Sequence, residues 1–353
     1  MENDEKKKIL VMTGGGTGGH IIPNIALIPD LIKIYKIFYL GNKNSLEQDL
    51  ISKIEGITFV EIPAVKLIRK FTLKNFLIPF KFIKYEKIVK KILEEIKPNV
   101  IFAKGGFVSL PVVFAGKKLG IPILAHESDF SMGLANKLIL KKCKVMFTSF
   151  RETCVNNKCI YSGSPIRNVV FNGDKNIAKK LCKFKNDLPV ILIFGGSLGS
   201  KNINDFIFNN INKLNNYNLI HIVGKNNKNN IKSDNYYQIE YANNIYDYFD
   251  FCDLVICRAG SNSIFELLVL KKPMILVPLS REQSRGDQIE NANVFKKEGF
   301  AVVVEEKDLE INLLINKINN ILINKNYYIK NMNKYSIKNA NKIIIEYINK
   351  FAK

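Results

Sequence analysis

Histidine, paired cysteine and acidic residues are all scarce in this chain of 353 residues. It has three histidines and six cysteines. The cysteines (143, 154, 159, 182, 252 and 257) form no Cys-x-x-Cys pair, and with so few scattered histidines they make a poor zinc set. Free thiols in a reducing compartment are the expectation. Long apolar runs are lacking as well: none reaches the roughly 20 residues that a membrane-spanning helix needs. The opening Met-Glu-Asn-Asp-Glu-Lys-Lys-Lys contains acidic residues and lacks the layout of a secretion signal. Lysine and arginine outnumber acidic residues 53 to 32, for a net charge of +21. The cations are spread over the whole chain and match no nucleic-acid-binding module. A bias toward Lys, Asn and Ile, visible at Asn226–Asn230 and Ile311–Ile323, accounts for most of the charge. No nucleic-acid partner is expected. A phosphorylated substrate or an acidic lipid surface remains compatible with the charge.

What is present is the rhythm of two α/β domains. A hydrophobic content of 47% over this length can fill two ordinary cores. Strand-like runs at Ile9–Met12, Ile37–Leu40, Phe59–Ile62, Val100–Phe102, Ile121–Ala125 and Val145–Thr148 alternate with helical stretches. A second series follows at Val190–Phe194, Asn218–Val223, Tyr237–Glu240, Leu254–Cys257, Met274–Val277 and Ala301–Val304. This is the βαβ pattern of parallel, doubly wound sheets. The two series resemble each other. Ile9-Leu-Val-Met before glycines parallels Ile191-Leu-Ile-Phe before Gly195-Gly196-Ser197-Leu198-Gly199. Ala103-Lys104-Gly105-Gly106 parallels Cys257-Arg258-Ala259-Gly260. Two similar domains follow from this repeat, residues 1–167 and 168–334, with the boundary near Pro165–Asp174. The terminal stretch Tyr335–Phe351 reads as a helix with an isoleucine face, packing back on the first domain.

The turns carry the chemistry. Gly14-Gly15-Gly16-Thr17-Gly18-Gly19-His20 joins a buried-strand pattern to a helix over Ile21–Ile34. Glycines admit an anion to the backbone, and a helix N-terminus offers N–H groups and a positive dipole end. The spacing Gly14-x-Gly16-x-x-Gly19 also fits a dinucleotide fingerprint. A nicotinamide-dependent oxidoreductase, however, predicts an acidic residue where the second strand ends, and Tyr39-Leu40-Gly41-Asn42 has none. In the second half, Gly260-Ser261-Asn262-Ser263 opens a helix over Ile264–Leu270, with Glu266 one turn in. Those N–H groups suit a diphosphate and that carboxylate a ribose. Arg258 adds positive charge before the turn. Ser197 is a hydroxyl on a glycine turn, and Arg167 stands at the hinge as a diphosphate clamp. Gly286-Asp287-Gln288 brings side chains suited to sugar hydroxyls. His126-Glu127-Ser128-Asp129 ends a strand, and strand carboxyl ends face the ligand crevice in open α/β sheets. His20, Glu127 and Asp129 are therefore candidates to converge.

Taken together these motifs resemble the MurG family. The resemblance rests on Gly-Gly-Thr-Gly-Gly-His-x-x-Pro at 15–23, His126-Glu127-Ser128-Asp129 with Gly133-Leu134-Ala135-Asn136-Lys137, Gly163-Ser164-Pro165-Ile166-Arg167, Gly195-Gly196-Ser197, Cys257-Arg258-Ala259-Gly260 and Gly286-Asp287-Gln288. They occur in family order over nearly the whole chain. The resemblance implies a GT-B fold, two Rossmann-like domains with a cleft between them. It implies transfer of N-acetylglucosamine from UDP-N-acetylglucosamine to lipid I, giving lipid II in peptidoglycan synthesis. It further implies a donor site with Glu266 on the ribose, Ser261, Asn262 and Ser263 at the diphosphate, backbone near Ala242 on the uracil, Asp287 and Gln288 on the sugar, and Ser197 and Arg167 on the phosphates. Thr17, Gly18 and Gly19 would complete it from the first domain, near the acceptor's pyrophosphate. Many members carry Asn where this chain has Asp129.

The resemblance also implies an α-linked donor sugar and a β-linked product, hence an inverting reaction, for which one base and a positive cradle would suffice. The diphosphate leaving group needs stabilisation rather than protonation. No Asp-x-Asp metal motif stands where one would be expected, and neither metal nor cofactor is expected. His20 is the first candidate base, since an imidazole titrates near neutral pH; Asp129 and Glu127 follow. A lipid-linked acceptor requires access to the membrane, at its cytoplasmic face. Lys66–Lys91 mixes Phe71, Phe76, Ile78, Phe80 and Phe82 with Lys70, Lys74, Lys81 and Lys84, which suits an interfacial patch on anionic lipid. Another UDP-sugar transferase of the same fold is the main alternative, because fold and donor motifs do not fix the acceptor.

Overall fold

The computed structural model describes residues 7–63, 78–196, 199–336 and 338–352. The chain divides into two compact units, Met1–Arg167 with Lys338–Lys353, and Asn168–Ile337.

The first unit holds seven strands: β1 (Lys8–Thr13), β2 (Tyr35–Gly41), β3 (Ile57–Glu61), β4 (Val100–Ala103), β5 (Ile123–Glu127), β6 (Val145–Thr148) and β7 (Cys159–Tyr161). Its helices are α1 (Gly18–Leu31), α2 (Leu46–Ile51), α3 (Ile78–Ile96), α4 (Ser109–Lys118) and α5 (Leu134–Leu140). All strand pairs are parallel, in the order β3-β2-β1-β4-β5-β6-β7. A sheet covered on both faces needs strands that are apolar throughout, and β1 shows how the pleat divides them. Leu10 and Met12 pack on one face with Phe102 and Leu124, while Val11 packs on the other with Ile101 and Ile123. Leu27, Ile28 and Leu31 of α1 cover the first face; Val89 and Leu93 of α3 and Val112 and Val113 of α4 cover the second.

The second unit has β8 (Val190–Phe194), β9 (Asn218–Ile222), β10 (Tyr236–Ile239), β11 (Leu254–Cys257), β12 (Met274–Leu276) and β13 (Ala301–Val303). These strands are also parallel, in the order β10-β9-β8-β11-β12-β13. Its helices are α6 (Lys175–Cys182), α7 (Lys201–Asn210), α8 (Ile245–Phe251), α9 (Ser261–Val269), α10 (Asp287–Lys297), α11 (Ile311–Ile323) and α12 (Lys325–Lys334). The last helix, α13 (Ala340–Phe351), returns to the first unit, where Ala340, Ile344 and Ile348 join the face of Leu10 and Phe102.

Element bounds differ from the sequence reading in several places; α9, for one, starts at Ser261 rather than Ile264. Strand β7 was not anticipated; it is a three-residue edge strand, too short for a period to register. Helix α1 starts at Gly18 rather than Ile21, with Thr17 at its N-cap. The terminal helix starts at Ala340 rather than Tyr335, because the Asn339 side chain caps it by accepting from the Lys342 N–H. Among the described residues, no helix is long and apolar enough to cross a membrane.

Candidate active site

In each sheet the strand order reverses once, between β1 and β4 and between β8 and β11. Ligands of open α/β sheets bind beyond the carboxyl ends of strands at such switch points. The glycine turns stand at both.

In the first unit the turn after β1 is tightly built. A Cβ on Gly14 would come within 2.6 Å of the His20 carbonyl oxygen and 2.8 Å of the Lys104 Cβ, so this position requires glycine. The Tyr39 hydroxyl donates to the Gly14 carbonyl at 2.5 Å, and buried Asn24 donates to the Thr13 carbonyl at 3.3 Å. Glu47, almost fully buried at the start of α2, accepts from the Gly16 N–H and from the Asn42 N–H, both at 3.2 Å. One amide of the apparent dinucleotide fingerprint thus already faces a protein carboxylate, which disfavours a dinucleotide phosphate there. The half-buried His20 lies on the first turn of α1. Its Nδ1 is 3.1 Å from the Gly15 carbonyl oxygen and 3.2 Å from Thr17 Oγ1. A carbonyl can only accept, so that contact puts the proton on Nδ1 and leaves Nε2 as the basic nitrogen.

The neighbouring strand ends complete this side. Gly106, after β4, has φ +77°, and a Cβ there would lie 2.5 Å from the Gly15 carbonyl oxygen and 3.2 Å from His20 Nδ1. Near the end of β5, His126 is fully buried, with Nε2 donating to the Gly163 carbonyl at 3.1 Å. Burial, and then the nearby Lys104, hold its pKa well below the usual imidazole value, so it is neutral. Glu127 accepts three N–H bonds: Oε1 from Asp129 at 3.0 Å, and Oε2 from Gly133 at 3.0 Å and Asn136 Nδ2 at 2.9 Å. A carboxylate so engaged organises the loop from 128 to 133. Asp129 is half-buried on that loop.

In the second unit, α9 begins at Ser261 behind Gly260, with no side chain capping its first turn. Ser261 is buried, and Asn262 and Ser263 are partly exposed. Glu266 is buried one turn in, and Tyr246 Oη donates to its Oε1 at 3.4 Å. That bond ties Glu266 to the start of α8, four residues beyond the half-buried Ala242. Gln288 Oε1 accepts from the Leu279 N–H at 3.1 Å, and Asp287 Oδ1 lies 3.4 Å from Arg285 Nε. Asn291 donates to the Ala259 carbonyl at 3.2 Å, fixing the turn from below.

Arg258 departs from the sequence reading. Its guanidinium is buried, donates to the carbonyls of Val277 and Pro278 at 3.1 and 3.3 Å and to Ser200 Oγ at 2.7 Å, and pairs with Glu306. It braces the ends of β8, β11 and β12, and Glu306 neutralises the charge expected to face a ligand. Ser197 lies outside the described residues, and Arg167 is the last residue of the first unit's long segment. Thr17, Gly18 and Gly19 border the first turn, with Thr17 and Gly19 exposed.

Sequence reasoning missed Glu47, Lys104 and Tyr246. Glu47 sits in Leu-Glu-Gln-Asp, which reads as a solvated first turn, and only burial separates it from Asp49. Lys104 was noted in the repeat but not as a site residue; a lysine between an apolar strand and two glycines was the available signal.

Two parallel Rossmann-like units, each with a glycine turn at its switch point, have the GT-B architecture, and the chain is a glycosyltransferase of family 28. Residues 10–148 match the Glycosyltransferase family 28 N-terminal domain and residues 190–347 the Glycosyltransferase family 28 C-terminal domain. The chain belongs to the MurG family within that class. It is 47% identical over 320 residues to the UDP-N-acetylglucosamine–N-acetylmuramyl-(pentapeptide) pyrophosphoryl-undecaprenol N-acetylglucosamine transferase of Clostridium botulinum (strain Hall), covering 88% of this chain and 90% of the relative. The enzyme of the same name from Clostridium tetani is 46% identical over 321 residues, covering 89% of each chain. The crystal structure of Acinetobacter baumannii MurG shares the fold, with a TM-score of 0.76 at 22% identity over 97% of this chain and 99% of that one.

Proposed function

We propose that this chain transfers N-acetylglucosamine from UDP-N-acetylglucosamine to lipid I, the undecaprenyl-pyrophosphoryl-N-acetylmuramyl-pentapeptide, to give lipid II with inversion at the anomeric carbon. The observation that carries this reading is near-full-length similarity to curated transferases named for that reaction. The donor lies on the second unit. Glu266, oriented by Tyr246, accepts from the ribose hydroxyls, and the N-terminus of α9 at Ser261–Ser263 receives the diphosphate. Asp287 and Gln288 face the sugar, backbone near Ala242 reads the uracil, and Arg167 and Ser197 neutralise the phosphates. The acceptor's pyrophosphate lies by Thr17, Gly18 and Gly19.

His20 is the base. Its Nε2 removes the proton from the attacking sugar hydroxyl as the new C–O bond forms. The bond to the diphosphate breaks, and UDP leaves with its electron pair. The carbonyl of Gly15, fixing Nδ1–H, supports this assignment over Glu127, whose oxygens are occupied by loop N–H groups. Asp129 acts on the acceptor beside it.

The acceptor is reached at the cytoplasmic membrane surface. Phe80 is 73% exposed on α3, and Ile83 and Ile88 are exposed beside Lys81, Lys84 and Lys87. Phe82, by contrast, packs edge-on against Phe114 at 5.2 Å. Phe71, Phe76, Lys70 and Lys74 lie outside the described residues, as does the side chain of Ile78. Replacing Phe80 and Ile83 with Ser therefore lowers flotation on anionic liposomes without unfolding the protein; undiminished flotation would count against the patch. The reaction itself is tested by supplying labelled UDP-N-acetylglucosamine with lipid I or a short-chain analogue. Label in the lipid product supports the reading. Hydrolysis without transfer, or transfer only to other acceptors, overturns it.

A further inference from the structure

Lys104 is a buried cation of the first unit that the reaction as described does not use. Its side chain is 1% exposed, at the carboxyl end of β4 beside the switch point. Its Cβ backs Gly14, and its Nζ donates to Ser128 Oγ at 2.5 Å. A buried ammonium is costly unless it is paired and hydrogen-bonded, and an apolar side chain of similar length would fill the same space. Around it, His126, neutral, and the carboxylates of Glu127 and Asp129 come from β5 and its loop. His20 comes from α1, across Gly14; Tyr39 from β2 and Glu47 from α2 bond to the same glycine turn. The amine therefore stands behind the candidate acceptor site, in contact with its loop.

We propose that Lys104 is a positioning residue for transfer: its ammonium, bonded to Ser128, holds the Ser128–Asp129 segment against the β1 turn, and the site reaches its full rate only while that ammonium is charged. The proposal rests on the acceptor site lying in this unit, as in the reading above. Burial is the larger influence on the amine and lowers its pKa to about 8, while Glu127 and Asp129 act in the opposite direction. The amine is thus mostly charged at pH 7 and mostly neutral at pH 9. On deprotonation its proton goes to solvent, Ser128 loses a charged donor, and the two carboxylates lose the cation between them and the glycine turn.

The test is the pH dependence of kcat and of the KM for UDP-N-acetylglucosamine, with a short-chain lipid I analogue, in the wild type and in Lys104→Met. As pH rises through 8 the wild type loses kcat and levels off about tenfold lower, once the amine is neutral. Lys104→Met turns over about tenfold more slowly at pH 7, lacks the limb near pH 8, and keeps its donor KM within about twofold. A limb unchanged in Lys104→Met, or wild-type turnover in it, overturns the proposal. Carbon NMR of lysine labelled at Cε gives a second measurement on the unmodified protein. One lysine titrates near pH 8, and Ser128→Ala moves that titration to lower pH. If every lysine titrates above about 9.5, Lys104 is not the switch, whether or not Lys104→Met folds. A wild type that transfers no sugar to the analogue at any pH overturns the functional reading instead, and leaves the NMR result to decide Lys104.

Discussion

The two glycine turns share a place in their sheets and little else. The turn after β1 is crowded: Gly14 is pressed between the His20 carbonyl and Lys104, and buried Glu47 takes one of its amides. The turn after β11 is open. A Cβ at Gly260 would meet nothing within 4 Å, and the first turn of α9 has no side-chain cap. The ionic bracing differs as well. Behind the second turn, Arg258 and Glu306 cancel each other at the strand ends. Around the first, the carboxylates of Glu127 and Asp129 lie close enough to act on the Lys104 ammonium. An open helix N-terminus with a neutralised base suits holding a diphosphate. A crowded turn with titratable neighbours suits moving a proton.

Substitutions sharpen this contrast in order of effect. His20→Ala removes the base and lowers turnover about 10²–10⁴-fold while UDP affinity stays unchanged. Steady-state rates with calorimetry check this, and near-wild-type turnover would assign the proton to another group. Glu266→Ala reverses the pattern, weakening donor binding by about 1.5–3 kcal/mol through lost charged hydrogen bonds; equal UDP-N-acetylglucosamine affinity in titration calorimetry would remove the ribose role. Glycine replacements compare the turns directly. Gly14→Ala destabilises by about 1–3 kcal/mol because backbone must move to admit the methyl. Gly260→Ala, at φ −69° in open space, changes stability by less than about 1 kcal/mol. Equal melting temperatures for the two variants would break the distinction between a packed turn and an open one.

Much of this was legible in the residues. Short continuous apolar runs alternating with helical stretches, and glycines where those runs end, specify two doubly wound sheets without any tertiary information. The side chains on those turns were legible because their positions relative to strand ends are local. What burial decides was not. Glu47 and Asp49 are two residues apart and equally acidic, yet one supports the glycine turn from inside. Arg258 looked like a ligand contact because its neighbours Ser200, Val277 and Glu306 are far away in sequence. Phe80 and Phe82 looked alike until Phe114 took one of them. In each case the deciding partner is a long-range contact, and no periodicity encodes it.

The return of α13 to the first unit has a consequence for biosynthesis. Ala340, Ile344 and Ile348 cover a face that includes Leu10 and Phe102, and the whole second unit is made between them. At ordinary translation speeds that delay is on the order of ten to thirty seconds. Through it the nascent first unit carries an unfinished apolar wall, while the second unit can already close around its own sheet. Chaperone demand in the cell should therefore peak before the final helix leaves the ribosome, and the half synthesised first is the half that finishes last.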